Sequence, residues 1–158
     1  MYKHILVAVG NSLSESALDT AIRRARECNA RLTALHVVDQ TPWWAVVTAD
    51  SSSKETLAVI DDHARAIMRH CMRRIDSAGI DGTARCMKLP LNGELGETIA
   101  KASMELGADL IVLGGEADAQ WRHGERRLRD IVCARVKCDV LIASRVAADG
   151  RLESAPEA

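Results

Sequence analysis

Short apolar runs alternate with segments of helical periodicity along most of this chain, and this alternation restricts its fold more than any other feature. The first run, residues 4–9 (HILVAV), is continuously apolar, as is typical of a strand buried on both faces of a sheet. Strands that alternate with amphipathic helices predict a parallel sheet with helices on both faces. The predicted strands are 4–9, 31–38, 83–89, 110–113 and 140–143.

Four helices are expected between these strands, because apolar residues recur there every three or four positions. They are centred on residues 18–25, 57–78, 95–106 and 128–136. Right-handed crossovers then favour a single-domain α/β fold with an open five-stranded sheet of order 3-2-1-4-5. Strand 83–89 is less apolar and suits an edge of that sheet. In this order Gly10 and Gly114 meet where strands 1 and 4 diverge, which is the default site for a small ligand.

Length, charge and cysteine content limit the class of protein. The 158 residues suit one domain, placed at 1–146, followed by a polar tail at 147–158. The 21 basic and 22 acidic residues are interspersed, so nucleic acid is not an expected partner. No apolar run approaches the ~20 residues of a membrane span, and no cleavable leader is recognised. Five scattered cysteines favour reduced thiols and a cytoplasmic protein without membrane contact.

Four separated segments resemble the universal stress protein family in their order and spacing. They are 2–9 (YKHILVAV), 35–38 (LHVV), 93–99 (GELGETI) and 107–114 (GADLIVLG). The resemblance covers roughly residues 2–145. It implies the five-stranded fold shared with adenine-nucleotide alpha hydrolases, and members that are typically cytoplasmic dimers.

The resemblance also implies a dimer interface. In the family the last strand often pairs antiparallel with its copy in a partner across a two-fold axis. The residues that would supply this edge here are Val140, Leu141, Ile142, Ala143 and Ser144.

The sequence after the fourth strand differs from that of the family's ATP-binding members. Those members carry Gly, two residues, Gly, nine residues, Gly and then Ser or Thr. Here Gly114 can serve as the first glycine, but Ala117 replaces the second, and neither Gly-Ser nor Gly-Thr occurs within 118–137. Backbone N–H groups must come within hydrogen-bond distance of a phosphate, so these changes weaken the site. In this region the chain resembles more the branch typified by universal stress protein A, and the resemblance implies that it does not retain ATP.

The leading interpretation is a non-enzymatic stress-response homodimer that acts through protein contacts, with a regulatory protein or a kinase as its partner. The chain has no nucleophile elbow, no His-Glu-x-x-His and no lysine-bearing phosphate loop. We therefore expect no catalytic residue. The cysteines lack the paired spacing of a zinc site, and His63 and His70 lie about 10 Å apart along one helix, so no metal and no cofactor are expected.

The alternative is a stress sensor that binds ATP or AMP, with at most weak ATP hydrolysis. An adenosine would then lie among the small residues of the crevice, and arginines of the fourth helix would contact its phosphates. The same arginines also fit an ordinary solvated helix face. The residues of this alternative are Ala8, Gly10, Val38, Gly114 and Gly115 for the nucleoside, and Arg126 and Arg127 for the phosphates.

Overall fold

Five parallel strands form one sheet in the order β3-β2-β1-β4-β5, which confirms the predicted fold class. The structure is a computed structural model. It describes residues 1–10, 15–38, 53–90, 92–114 and 122–143, and of residues 15, 53–57 and 122–127 it describes the backbone only. The elements are β1 (His4–Val9), α1 (Glu15–Cys28), β2 (Arg31–Val38), α2 (Ser53–Ser77), β3 (Gly82–Lys88), α3 (Leu95–Leu106), β4 (Leu110–Gly114), α4 (Arg122–Arg135) and β5 (Asp139–Ala143).

The bounds of β1 and β2 agree with the prediction, whereas α2 begins at Ser53 instead of residue 57. Apolar periodicity detects only the part of a helix that packs against the sheet. The residues of α2 that do so are Ala64, Ile67, Cys71 and Ile75. The prediction missed residues 53–56 (SKET), which include no apolar residue and so carry no apolar pattern.

The remaining strands differ from the prediction by one residue. β3 spans Gly82–Lys88 and forms one edge of the sheet, as expected, while β5 forms the other. β4 continues to Gly114 and β5 begins at Asp139, because the ladder between these strands pairs Leu110 with Asp139 and Gly114 with Ala143. Within the described residues, no helix combines the length and the apolarity that a membrane span needs.

The two faces of the sheet are covered by different helices, because successive side chains of a strand point to opposite faces. Ile5 and Val7 face the layer of α1 and α2, and Leu6 faces the layer of α3 and α4. All three side chains are fully buried. Cys71 of α2 lies in the first of these cores and is itself fully buried, so it serves as a small core residue.

Asp109, which follows the turn that ends α3, joins the amino-terminal ends of β1 and β4. Gly107 has a φ of 66° and caps the helix by donating to the carbonyls of Met104 and Ser103. The Asp109 carboxylate accepts the backbone N–H groups of Lys3 at 2.8 Å and His4 at 3.0 Å, and its own N–H donates to the His4 carbonyl at 2.9 Å. These bonds connect the start of β1 to the start of β4.

The hydrogen bonds also set the protonation of Asp109. Desolvation raises the pKa of its carboxyl, but the N–H groups of Lys3, His4 and Asp109 itself outweigh that effect, so the pKa lies below its usual value. A carboxylate with a lowered pKa stabilises the folded state at every pH above its unfolded pKa. The stabilisation is lost as the pH falls through the lower, folded pKa.

Replacing Asp109 by Asn tests this closure. The amide offers a single acceptor and no charge, so we expect Asp109→Asn to lower the free energy of unfolding by about 1–2 kcal/mol at neutral pH. The difference from wild type should shrink below about pH 4, where the unfolded carboxyl and then the folded one take up a proton. Urea unfolding at pH 7 and pH 3 measures it. Asp130→Asn, at an exposed position, is the control, and a difference that does not change with pH would contradict the role of the charge.

Candidate functional site

The carboxyl ends of β1 and β4 diverge at the centre of the sheet. The pairing of β1 with β4 runs from Ile5–Leu110 to Val7–Val112. On its other side β1 stays paired with β2 two residues further, to Val9–His36, and β4 stays paired with β5 to Gly114–Ala143. In open α/β sheets the ligand crevice lies at such a reversal of strand order. We call residues 8–10 and 113–114 the switch point.

The structure brings most of the predicted nucleoside residues to the carboxyl ends of the strands. Ala8 and Gly114 are partly buried at the ends of their strands, and Gly10 is exposed just beyond β1. Val38 is buried at the end of β2, where its carbonyl accepts the N–H of Leu89 at 2.9 Å. β2 lies on the side of β1 that is away from β4, so Val38 is further from the switch point than the other three.

Three of the predicted ligand contacts remain predictions. Gly115 lies outside the described residues, and so does the substitution at Ala117. Arg126 and Arg127 belong to α4, but the described part of these residues is the backbone. The anion contacts and the solvated helix face are therefore both still open interpretations of these arginines.

The two edge strands of the sheet have different surfaces. On β5, Val140, Leu141 and Ile142 are partly buried and Ala143 is buried, while Ser144 lies outside the described residues. The exposed residues of β3 are polar, charged or thiol-bearing, namely Thr83, Arg85, Cys86 and Lys88. β5 is thus the apolar edge and β3 the polar one.

The start of β5 is tied to the N-terminal segment. The hydroxyl of Tyr2 donates to Oδ2 of Asp139 at 2.7 Å. This bond to the carboxylate, with a smaller contribution from desolvation, raises the pKa of the Tyr2 phenol. The ring of Tyr2 also packs against the core on the α1 and α2 face, so it anchors the edge strand to that core.

Comparison with known proteins shows the family of the chain. The model of the universal stress protein family matches residues 1–144. The chain belongs to the universal stress protein family. A comparison with curated protein sequences gives no significant match.

Solved structures share the fold of this universal stress protein at low sequence identity. A family member from Burkholderia pseudomallei is 24% identical, with a TM-score of 0.70 over 91% of this chain and 97% of that one. Universal stress protein UspA from Lactobacillus plantarum is 25% identical, with a TM-score of 0.71 over 90% and 98%. A family member from Arabidopsis thaliana with AMP bound is 13% identical, with a TM-score of 0.66 over 96% of both chains.

A close contact between α3 and α4, which sequence reasoning missed, positions the helix that follows the switch point. A Cβ atom on Gly96 would lie 2.7 Å from Cγ2 and 2.9 Å from Cβ of Ile131. Only a residue without a side chain allows this approach. Glu97, the next residue of α3, forms an ion pair with Arg135 of α4. The segment GELGETI identified Gly96 as a family feature, but its partner on α4 could not be read from the sequence.

Replacing Gly96 by Ala tests this contact. In an unconstrained helix the change from Gly to Ala stabilises by about 0.5–1 kcal/mol. Here the added methyl group would overlap Ile131, so we expect Gly96→Ala to lower the free energy of unfolding by about 1–3 kcal/mol. Urea denaturation measures the effect, with Lys101→Ala on the exposed side of α3 as the control. A variant more stable than wild type would show that α3 and α4 do not pack this closely.

Three of the five thiols of this universal stress protein have a raised pKa. All five cysteines are free. Desolvation raises the pKa of the thiols of Cys71, Cys86 and Cys138, so each of these stays protonated near neutral pH. Among the described residues, no three His, Cys, Asp or Glu side chains are grouped so that they could hold a metal ion.

Proposed function

We propose that this universal stress protein is a non-enzymatic, cytoplasmic homodimer of the branch typified by universal stress protein A. It acts through contacts with a regulatory protein or a kinase and does not bind ATP. The observation that carries the proposal is the apolar open edge of β5, where Val140, Leu141 and Ile142 are partly buried within one chain.

A second copy of β5 is the natural occupant of this edge. An edge strand presents unpaired N–H and C=O groups, and monomeric proteins protect such edges with charged residues. The β3 edge has this protection from Arg85 and Lys88, whereas Val140–Ala143 carries no charge. Antiparallel pairing of two β5 strands about a two-fold axis would pair these groups and cover the apolar side chains of both copies. Ser144 would extend the paired segment by one residue.

A charge on β5 should prevent this pairing. We expect Ile142→Lys to shift the protein from dimer to monomer, because two lysines would face each other across the axis without a partner. Sedimentation velocity measures the change, and circular dichroism verifies that the variant is folded.

Thr83→Lys on the β3 edge is the matched control and should remain dimeric. A folded Ile142→Lys variant that is still a dimer, or a monomeric wild type, would contradict the proposed interface. The same experiment with Leu141→Lys tests the opposite face of β5.

The absence of ATP binding is proposed from the sequence that follows Gly114. Ala117 and the missing Gly-Ser or Gly-Thr pair remove the small residues that would let a backbone turn approach the phosphates. Gly10 occupies a position where many family members have an aspartate that can contact the adenosine. The chain therefore has fewer polar groups for both ends of the nucleotide than the family's ATP-binding members have. We propose that it has no cofactor.

A second candidate function, binding of an adenine nucleotide, is favoured by a different observation. Gly10 and Gly114 both belong to the switch point and carry no side chain themselves, and the structural relative from Arabidopsis thaliana has AMP bound. Ala8, Val38 and Gly115 would complete the surface for the nucleoside. Arg126 and Arg127 would then hold the phosphates in place of the missing backbone donors.

Nucleotide content and calorimetry separate the two functions. Freshly purified protein is denatured, the released small molecules are chromatographed, and ATP and AMP are then titrated into nucleotide-free protein. We expect no released nucleotide and no binding heat at millimolar concentrations of either. Stoichiometric binding of ATP or AMP that Gly10→Val abolishes would overturn the proposal and establish the second function.

A further inference from the structure

His36 is a buried polar residue of β2 that contacts the switch point at Val9. It is 1% exposed, although it lies in β2 between Leu35 and Val37. Its Nδ1 lies 2.9 Å from the carbonyl oxygen of Val9, the last residue of β1. A carbonyl can only accept, so Nδ1 carries the proton and donates it.

The direction of the backbone places this hydrogen bond on the β2 side of β1. The Lys3 carbonyl accepts the N–H of Arg31 in β2, and the His4 carbonyl accepts the N–H of Asp109 just before β4. Backbone groups of successive strand residues point to alternate sides of the strand. The backbone carbonyls of the odd-numbered residues of β1 therefore point toward β2. The carbonyl of Val9 is one of them.

The other buried polar side chains of the described residues have different tasks. Thr33 contacts Nε2 of His4 at the amino-terminal end of the sheet. Thr98 and Ser103 donate to carbonyls of Glu94 and Ala100 in or just before their own helix. Among these four residues, His36 is the one that connects two strands at the switch point.

We propose that His36 is a positioning residue that holds the end of β1 on β2 and so maintains the separation of β1 from β4. Beyond Val7 the pairing with β4 has ended, and Val9 is held from the β2 side. Leu or Val would fill the same buried position without the cost of burying a polar ring. The imidazole adds a hydrogen-bond donor for the carbonyl of Val9, which is the residue directly before Gly10. This role is independent of which ligand or partner the switch point binds.

Amide hydrogen exchange in two variants tests the role. In His36→Leu, we expect the amides of Val9 and Val37 to exchange about tenfold faster, because the end of the ladder opens without the side-chain bond. The amides of Ile5 and Thr33, at the other end of the same ladder, should keep their rates. His36→Asn should restore slow exchange, since its amide nitrogen takes nearly the place of Nδ1.

Two results would overturn the proposal. One is equal acceleration at all four amides, which would mean that His36 contributes only to global stability, and the other is unchanged exchange at Val9 and Val37.

Nitrogen NMR of the wild-type imidazole provides a measurement that needs no variant. We expect the neutral ring to carry its proton on Nδ1, and a neutral ring protonated on Nε2 would exclude the bond to Val9.

Discussion

The burial of β1 on both faces and along both edges is the constraint on which the rest of the structure depends. Ile5, Leu6 and Val7 are fully buried, and each such side chain contributes roughly 1.5–3 kcal/mol through removal from water. β1 is also the strand from which the sheet grows in both directions, to β2 and β3 on one side and to β4 and β5 on the other. The switch point exists because these two directions begin at the same strand.

The two ends of β1 are treated differently. At the amino-terminal end, the Asp109 carboxylate and the backbone around it connect β1 and β4 through several hydrogen bonds. At the carboxyl-terminal end this pairing stops after Val7, while the pairing with β2 continues to Val9. The closed end keeps β1 and β4 in register, whereas beyond Val7 these two strands are no longer paired with each other.

Contacts between helices fix the layers on the two faces of the sheet. Gly96 and the ion pair of Glu97 with Arg135 hold α4 directly against α3, so the helix that follows the switch point has a defined position. On the opposite layer, Arg74 of α2 pairs with Asp19 of α1 and Arg26 reaches the carbonyl of Ala78. With both helical layers fixed, the two proposed functions depend on two surfaces of the described residues, the switch point and the apolar edge of β5.

Apolar periodicity predicted the elements of this protein, because burial requires apolar residues at spacings that differ between strands and helices. Their alternation predicted the parallel arrangement, and the right-handed crossover rule then predicted their order. The sequence alone also located Gly10 and Gly114 at one edge of the sheet. The tertiary structure decided the partners of single residues: His36 with Val9 across 27 residues, and Lys3 with Asp109 across 106. It also decided where the β1–β4 pairing stops and that Gly96 contacts Ile131. Such contacts join residues that are distant in the chain and follow no local period, so they become visible only when the layers are packed together.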